Sequence, residues 1–464
     1  MPDKPELSSR TPVIIAPPEL PPPEDALALL ERLARAPWLV APPVGLPDLH
    51  LKPRLEAPSS LATATDAVWV LGLTSPSPHC GMGLALTERD IGFATPERLD
   101  RLFTHLATRL NPDRGAMTID DAALDEALLG GWPAWQPRET RVQTMGTLDP
   151  YEAAFSTEES HENRERMLDA VPDWLRGIAR QDFGLVGKGN HFLELQAVEE
   201  ILDPEVAKSW GLWEGQLVVM IHADSGHLGA FLGRFFAYRR KNTRRGRLIE
   251  WRTKVPYHAR RVATLTAWLE RARVFWPGRW VPLSVGSETG QLCRRALGVA
   301  ANYADAGRLA IWGTIADALA AVDGAGALRV LWDAPHNGIW RESVEGRQAW
   351  VHRHNAARAL PGRPVLLPGC ERTSSFLCVG REGAVKTLYS ANHGAGESAQ
   401  RLGHRLEDED STTRIYGYAG AIPESIPRIS DDGIWAVVNT LRTHEIARPV
   451  ARLRPLATLK ARTR

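Results

Sequence analysis

Hydrophobic and polar positions recur along the chain with both helical and strand-like periods, so the sequence predicts both kinds of element. Apolar residues at helical spacing predict an amphipathic helix over about residues 24–36. Thr95 followed by Pro96 has the chemistry of a helix N-cap and a first helical residue, so a second helix is predicted to begin there. The Pro-rich stretch 41–53 between them predicts a loop.

Short apolar runs predict β-strands at residues 217–221, 328–332, 364–367 and 375–379. Residues 304–322 have a helical pattern, and the run 384–389 predicts a strand that leads directly to His393. Helices and strands follow one another without regular β-α-β alternation, which predicts an α+β fold. We expect one large mixed domain over residues 25–464, with central β-sheets, surrounding helices and a site at strand ends. Residues 1–24 are Pro-rich and predict an extended or disordered arm.

Composition narrows the class of protein without indicating its function. The 464 residues are 44% hydrophobic and 24% charged, which is ordinary for a globular protein. A net charge of +1 creates no overall field that favours nucleic acid or membrane. Four cysteines are too few for a disulfide scaffold of this size and fit a reducing compartment. With neither a signal peptide nor a membrane-length apolar run, we expect a cytoplasmic protein without membrane contact.

Residues 233–261 form a strongly basic segment, called the basic insert below. The segment contains eleven Arg and Lys residues, and Glu250 is its only acidic residue. Its aromatic residues are Phe235, Phe236, Tyr238, Trp251 and Tyr257. Cations neutralise phosphates and aromatic rings stack on unpaired bases, so the insert predicts nucleic-acid contact. The alternative is a pair of solvated surface helices.

Histidines with a shared context are candidates for a site. Four of the 14 histidines combine a strand-like run with small or turn residues: His191, His222, His336 and His393. Imidazole is the commonest metal ligand, and a strand that ends at a histidine brings the ring to the rim of a sheet. Cys80 lies in a Pro- and Gly-rich turn, and a thiolate with imidazoles suits a borderline-soft divalent ion. Because no Cys-x-x-Cys pair is present, an open catalytic site is favoured over a closed structural zinc site. For any one of these histidines taken alone, a satisfied core position is the favoured interpretation.

His393 lies in the sequence SANHGAGESAQR, between an asparagine and a Gly-Ala-Gly. The glycines leave an open approach to its ring, which suits a nucleophile or a metal ligand. A buried structural histidine in a tight turn has the same local sequence.

Taken together and in order, these stretches resemble motifs of the RtcB family of RNA-splicing ligases. The resembling segments are PDLH (47–50), HCGM (79–82), GKGNHFLEL (187–195), HADSGHLG (222–229), ANYADAGR (301–308), HN (336–337), LPGCERTSSF (367–376), NHGAG (392–396) and LRPLATLKA (453–461). The resemblance implies an RtcB-like fold and an enzyme that joins RNA 3′-phosphate or 2′,3′-cyclic phosphate ends to 5′-hydroxyl ends. It also implies GTP as guanylate donor and Mn²⁺ as cofactor, in RNA splicing, repair or tRNA processing.

The resemblance also implies roles for individual residues. His393 would be the catalytic residue, carrying GMP as a histidine–guanylate. The implied metal ligands are Cys80, His191, His222 and His336. The implied guanylate-binding residues are Asn190, His191, Glu194, His336, Asn337, Pro368, Gly369, Cys370, Glu371, Ser375, His393, Gly394, Ala395, Gly396 and Lys460. The expected partners are RNA with broken ends, GTP and an archease-type activator, and we expect a monomer.

Three of the departures from the family pattern change the charge near the implied site. Ser77 stands where the family has a metal-binding Asp, so we expect one of the two manganese ions to be weakened unless His79 compensates. Gly226 and Glu397 stand where the family has arginines, and Glu397 reverses the charge beside the nucleophile loop. These departures keep two alternatives open: a non-ligating paralogue that binds RNA or nucleotide, and a metal-dependent hydrolase.

Overall fold

A computed structural model of the protein describes residues 10–52, 55–75, 77–113, 119–145, 161–237 (161–163 by backbone alone), 243–260, 262–276, 280–406, 411–418 and 423–461. The strands are β1 Val13–Ile14, β2 Val44–His50, β3 Ser59–Thr65, β4 Val68–Trp69, β5 Gly81–Asp90, β6 Val142–Thr144, β7 Phe192–Ile201, β8 Gln216–Ala223, β9 Leu283–Ser284, β10 Leu328–Pro335, β11 Asn337–Val344, β12 Arg347–His354, β13 Ala356–Arg358, β14 Pro364–Leu367, β15 Ser375–Gly380, β16 Ser390–Asn392, β17 Thr412–Tyr416, β18 Glu424–Pro427 and β19 Ala447–Lys460. The helices are α1 Glu24–Ala34, α2 Pro96–Arg109, α3 Asp121–Trp135, α4 His161–Leu168, α5 Asp173–Asp182, α6 Pro204–Trp210, α7 Gly226–Phe236, α8 Arg244–Ala259, α9 Leu265–Ala272, α10 Glu288–Asp323, α11 Gly396–Leu402 and α12 Asp432–Thr443. The predicted mixed α+β fold is therefore confirmed.

The largest sheet carries the apolar runs that predicted strands. Its main path has the order β14-β15-β19-β7-β8-β5-β10-β6, and β17 and β18 attach beside β19. The adjacent strands β7, β8, β5 and β10 run antiparallel to one another. All eight residues of β8 are buried, which explains why the sequence there is an apolar run without alternation. The strands predicted at 217–221, 328–332, 364–367 and 375–379 are confirmed.

A second, five-stranded sheet has the order β1-β2-β3-β12-β11. The N-terminal segment takes part in it, because β1 pairs in parallel with β2. Ile15 and Leu20 are buried beyond that pair. The described residues 10–23 thus pack on the rest of the protein and include a turn, in which the Leu20 amide donates to the Pro17 carbonyl at 3.0 Å.

Helices cover the large sheet, and α10 is the longest at 36 residues. Its N-cap Ser287 accepts a hydrogen bond from the backbone of Gly290 at 3.0 Å, and it ends at Gly324 with a φ of 83°. The helix predicted at 304–322 is the second half of α10, and most of its side chains are buried. The predicted start of α2 is also confirmed, since Thr95 Oγ1 accepts from its third helical residue.

Two predicted elements are wrong. Stretch 41–53 was predicted to be a loop, but it contains β2. The register of β2 with β3 breaks between Gly45 and His50. That break lets a proline lie within the strand without removing a ladder hydrogen bond. Residues 382–387 form a 3₁₀ helix where the sequence predicted a strand, and only β16 follows before His393.

The described part of the basic insert contains the end of α7 and all of α8, and most of its described aromatic rings are buried. The Phe235 and Tyr257 rings stack with centroids 4.1 Å apart, and Phe236 is buried beside them. Trp251 is 55% exposed, whereas Tyr238 lies outside the described residues. The prediction that these aromatics stack on bases is therefore wrong for the three buried rings.

No helix in the described ranges has the length and apolar character needed to cross a membrane.

Candidate functional site

The four implied metal ligands meet at one edge of the large sheet. They come from β5, β7, β8 and β10, which are neighbours in the sheet. Cys80 and His191 immediately precede β5 and β7, His222 lies near the end of β8, and His336 immediately follows β10. Because neighbouring strands are antiparallel, the starts of two strands and the ends of the other two share one edge. The sequence context predicted that His191 ends a strand. It instead comes just before one, because β7 begins at Phe192.

Backbone hydrogen bonds tie the Cys80 turn to the turn between β10 and β11. The His336 amide donates to the Cys80 carbonyl at 2.8 Å, and the His79 amide donates to the Asn337 carbonyl at 2.8 Å. Buried Arg308 on α10 supports the same turn by donating to the His79 carbonyl at 2.9 Å. The Cys80 and His336 side chains are consequently held next to each other.

The donor atoms of the four residues, called the Cys–His cluster below, face one another at short distances. Cys80 Sγ lies 3.0 Å from His222 Nε2 and 3.3 Å from His191 Nε2. His222 Nε2 lies 3.3 Å from His336 Nε2. These separations fit sulfur and nitrogen atoms that share one or two metal ions at ordinary bond lengths.

The protonation states of the cluster suit metal binding. His222 Nδ1 lies 3.2 Å from the Asn190 carbonyl, which can only accept, so Nδ1 carries the proton and Nε2 presents a lone pair. Burial, followed by neighbouring imidazoles, holds the pKa of His222 and His336 well below the ordinary value, so both rings are neutral. Burial also raises the pKa of the Cys80 thiol, which a bound cation would reverse by coordinating the thiolate. The donor set therefore fits a divalent metal ion.

His393 lies beside this cluster, directly after β16. Its ring centroid is 4.4 Å from that of His336. Its Nδ1 lies 3.1 Å from the Asn355 carbonyl and therefore donates, which leaves the Nε2 lone pair available. Burial and the charge of Lys52 lower the pKa of His393 to about 3, so the imidazole is neutral at physiological pH. A neutral ring with a free Nε2 is chemically competent as a nucleophile.

A cavity of about 250 Å³ lies next to the cluster, between the start of β7, the β14–β15 loop and the end of β19. It is lined by nine of the implied guanylate-binding residues: Asn190, His191, Glu194, Pro368, Gly369, Cys370, Glu371, Ser375 and Lys460. Its lining also includes Gly189, Phe192, Gln400 and Thr458, which sequence reasoning did not select.

The other implied guanylate-binding residues lie outside the cavity lining, on its metal side. His336 belongs to the Cys–His cluster, and Asn337 is buried, where its side chain accepts from the Asn355 amide at 2.7 Å. The His393 loop contacts the cavity wall, because the Ala395 amide donates to the Pro368 carbonyl at 2.9 Å. His393 therefore adjoins the Cys–His cluster, and the loop that follows it contacts the wall of the cavity.

Glu194 is the buried acid of the cavity. Its Oε1 accepts from Gln196 Nε2 at 2.7 Å, and its Oε2 accepts from Thr458 Oγ1 at 2.6 Å. Burial raises the pKa of Glu194 to about 7 against the lowering effect of these two donors. Gln196 is two residues away on β7 and could have been found by strand alternation, whereas Thr458 reaches Glu194 only through pairing with β19.

Lys460 and Glu371 form an ion pair across the cavity mouth, with Nζ and Oε1 2.5 Å apart. Burial acts to raise the pKa of Glu371, but the pair with Lys460 lowers it overall. The ammonium group is thereby held next to the cavity at the end of β19.

A carboxylate that sequence reasoning missed lies beside the Cys–His cluster. Asp224 Oδ2 is 3.7 Å from His191 Nε2 and accepts a hydrogen bond from Ser77 Oγ at 2.6 Å. The signal for it was its place two residues after His222. His79 does not fill this role, because its Nδ1 faces Asp305 at 3.6 Å.

Glu397 lies on α11 at the outer side of the His393 loop. Its Oε2 is 3.2 Å from His50 Nδ1, and its side chain is about half exposed at 48%. A carboxylate at this place opposes the approach of phosphate to the loop.

Comparison with known proteins finds one family and several relatives that match most of the chain. A family model described as tRNA-splicing ligase RtcB matches residues 29–461. A protein named tRNA-splicing ligase RtcB from Pyrococcus horikoshii is 29% identical over 430 residues, covering 82% of this chain and 44% of that protein. The protein of the same name from Pyrococcus abyssi is 30% identical, with 82% and 42% covered. One from Thermococcus kodakarensis is 28% identical over 425 residues, with 82% and 80% covered. The matched region thus spans less than half the length of the two Pyrococcus relatives.

Proposed function

Because the chain belongs to the RtcB family, we propose that it is an RNA ligase of RNA splicing or repair, tRNA processing included. It would use GTP and Mn²⁺ to join 3′-phosphate or 2′,3′-cyclic phosphate ends to 5′-hydroxyl ends. The observation that carries the proposal is the position of His393 beside the Cys–His cluster, with its Nδ1 engaged by the Asn355 carbonyl and its loop against the wall of a cavity of nucleotide-like size.

The proposed chemistry begins at His393. Its Nε2 attacks the α-phosphorus of GTP, a phosphorus–nitrogen bond forms, and pyrophosphate leaves. An oxygen of the RNA 3′-phosphate then attacks the same phosphorus, which breaks the bond to nitrogen and restores the imidazole. Finally the 5′-hydroxyl oxygen loses its proton to solvent and attacks the RNA 3′-phosphorus, which breaks the phosphoanhydride bond and releases GMP.

The surrounding residues would bind and orient these groups. The Cys–His cluster would hold the metal ions, which polarise phosphoryl oxygens and lower the pKa of the attacking hydroxyl. Glu194 would accept hydrogen bonds from the guanine edge, and Lys460 would supply a positive charge beside the nucleotide. The Asn355 carbonyl would keep the proton of His393 on Nδ1 throughout.

Glu397 favours a second candidate, a non-ligating paralogue that binds RNA or nucleotide. An anion beside the nucleophile loop repels phosphate, whereas an arginine would pair with it. The cavity and the Cys–His cluster would then serve binding alone.

Incubation of the purified protein with Mn²⁺ and GTP labelled at its α-phosphorus separates these candidates. We expect a covalent protein label that acid releases and alkali does not, as for a phosphorus–nitrogen bond to histidine. Labelled GTP that binds and leaves no covalent label would contradict the ligase and favour the binding paralogue. Phosphoester hydrolysis that needs no GTP would instead indicate a metal-dependent hydrolase.

A further inference from the structure

The Cys–His cluster contains sulfur and nitrogen donors, whereas Mn²⁺ prefers oxygen ligands. The oxygen that lies close to His191 belongs to Asp224, at a distance of 3.7 Å between Oδ2 and Nε2. Asp224 follows the last residue of β8 and therefore stands at the same sheet edge as the other donors. Its negative charge also acts on the Cys80 sulfur.

The Asp224 carboxylate is held in a defined orientation. Its Oδ1 accepts from the Gly226 amide at 2.8 Å, within the turn that begins α7. Its Oδ2 accepts from Ser77 Oγ at 2.6 Å and still has lone-pair capacity toward His191. The neighbouring Ser225 Oγ donates to the Pro78 carbonyl at 2.6 Å, which fixes this turn against the segment before Cys80.

We infer that Asp224 is a carboxylate ligand of one divalent cation, which it shares with His191. Asp224 thereby supplies from the end of β8 the charge that Ser77 lacks, and Ser77 becomes the hydrogen-bond donor that orients it. The inference deepens the proposed function, on which it rests only for the identity of the ion.

The test is a calorimetric titration of the metal-free protein with Mn²⁺ alone, followed by the same titration with Zn²⁺. Asp224→Asn is expected to weaken Mn²⁺ binding at least about ten- to hundredfold, since this is the loss found when only a partner that orients a ligand is removed. Zn²⁺ binding should change less, because the thiolate and imidazoles that zinc favours remain. Adding Ser77→Asp to Asp224→Asn should restore much of the Mn²⁺ affinity by returning a carboxylate to the same space.

Asp182→Asn is the matched control, because Asp182 lies near the start of α7 and pairs with His227 outside the cluster. Equal Mn²⁺ affinity in the wild type, Asp182→Asn and Asp224→Asn would overturn the inference while leaving the guanylation test untouched. Circular dichroism on each variant separates lost binding from lost folding. A wild type without any Mn²⁺ binding would overturn the inference together with the manganese part of the proposed function.

A second, independent feature is an apolar groove between α8 and α9, whose lining contains none of the residues of the Cys–His cluster. Large side chains there are exposed to solvent, among them Trp251 at 55%, Trp268 at 54% and Leu265 at 75%. A cavity of about 260 Å³ lies between the two helices. Phe275 forms part of its floor, with its ring centroid 5.4 Å from that of Trp251.

The exposed residues of α8 follow a helix-packing pattern. Leu248, Trp251 and Val255 are separated by three and then four positions, and Ala259 lies four further on. This spacing places them on one stripe of about 17 Å along the helix. Such a stripe fits the apolar face of another helix better than it fits nucleic-acid bases, which stack on rings and gain little from aliphatic side chains.

Positive charge is concentrated on α8, the helix that forms one wall of the groove. The exposed arginines of α8 are Arg244, Arg245, Arg247 and Arg252, and Arg260 and Arg273 directly follow α8 and α9. Arg252 and Arg260 also line a separate cavity that contains aspartates, so the arginines nearer the start of α8 carry the unbalanced charge. Glu250 is largely buried near Lys254, whose ammonium donates to two backbone carbonyls. A partner that matches this surface therefore carries acidic residues around an apolar stripe.

We propose that the groove between α8 and α9 binds an acidic amphipathic helix of a protein partner. A suitable probe is a fluorescent peptide of about 20 residues, long enough to form a helix, with leucines at coiled-coil spacing and Glu and Ala elsewhere. Fluorescence anisotropy should show micromolar binding to the full chain. Trp268→Glu should weaken this binding at least about tenfold, whereas Trp213→Glu, at an exposed tryptophan outside the groove, should not.

Each alternative occupant has its own outcome. Equal binding of a scrambled peptide of the same composition would overturn the proposal. Binding of a uridine oligonucleotide or of phosphatidylserine vesicles in place of the peptide, lost in Trp268→Glu, would reassign the groove to RNA or membrane. A dimer in light scattering that becomes a monomer in Trp268→Glu would assign the groove to a second copy of the chain.

Discussion

Replacing His393 by alanine is expected to remove the GTP-derived protein label completely. The proposed covalent bond forms at Nε2 of this ring. The neighbouring rings of His222 and His336 direct their Nε2 atoms at each other within the Cys–His cluster. The rate of label formation should fall by at least about a thousandfold, since loss of a nucleophile removes the covalent route altogether. The measurement is the amount of acid-labile label per protein after incubation with GTP and Mn²⁺.

His404→Ala is the control for this experiment, because His404 is an exposed histidine that pairs with Asp432 away from the cavity. It should label as the wild type does. Label that persists in the His393 variant would place the covalent bond on another residue. Since the pKa of His393 is about 3, its protonation should not limit labelling of the wild type at any pH above about 4.

Replacing Glu194 by glutamine is expected to weaken guanine binding by about ten- to hundredfold. Guanine presents two N–H donors on its Watson–Crick edge, and a carboxylate can accept both, whereas a glutamine amide offers a single acceptor oxygen. The donor left without a partner in a buried site costs about 1–3 kcal/mol. Binding of guanosine and of inosine, which lacks the exocyclic amine, should therefore become similar in the variant.

The pH dependence of guanosine binding is an independent test of Glu194 as the acceptor for the guanine edge. The pKa of Glu194 is raised to about 7, so the carboxyl is protonated below that pH and ionised above it. Guanosine should bind more tightly as the pH rises from about 6 to about 8, because only the ionised form accepts from both donors. The Glu194→Gln variant should lose this dependence. Glu199→Gln serves as control, since Glu199 lies on the same strand and pairs with surface arginines; an unchanged pH profile in Glu194→Gln would contradict the role.

Local sequence patterns were sufficient for much of the fold. The buried strand at 217–221 and the start of α2 at Thr95 were predictable, because burial and capping act on residues close in sequence. The strand predicted at 384–389 was wrong, because a local side-chain hydrogen bond there outweighs the apolar pattern. There the side chain of Thr387 donates to the Ala384 and Ser390 carbonyls at 3.0 and 2.7 Å and closes a turn that an apolar run does not reveal.

Part of the candidate site could also be predicted from the sequence, and part could not. Cys80, His222 and His393 could be selected from the sequence, because each residue type in its turn context already limits the chemistry. Sequence also determined the family, since the motifs occur in order along the chain. The aromatic rings of the basic insert were misjudged, because their packing depends on how α7 and α8 meet.

Tertiary structure alone decided which side chains converge. Asp224 lies beside the Cys–His cluster only because the end of β8 packs against the segment before Cys80. Thr458 reaches Glu194 only because β19 pairs with β7, more than half the chain away. The physical reason is that residue type and local pattern report backbone preference and burial, whereas ligand sets and hydrogen-bond partners depend on the register of strands that are distant in sequence.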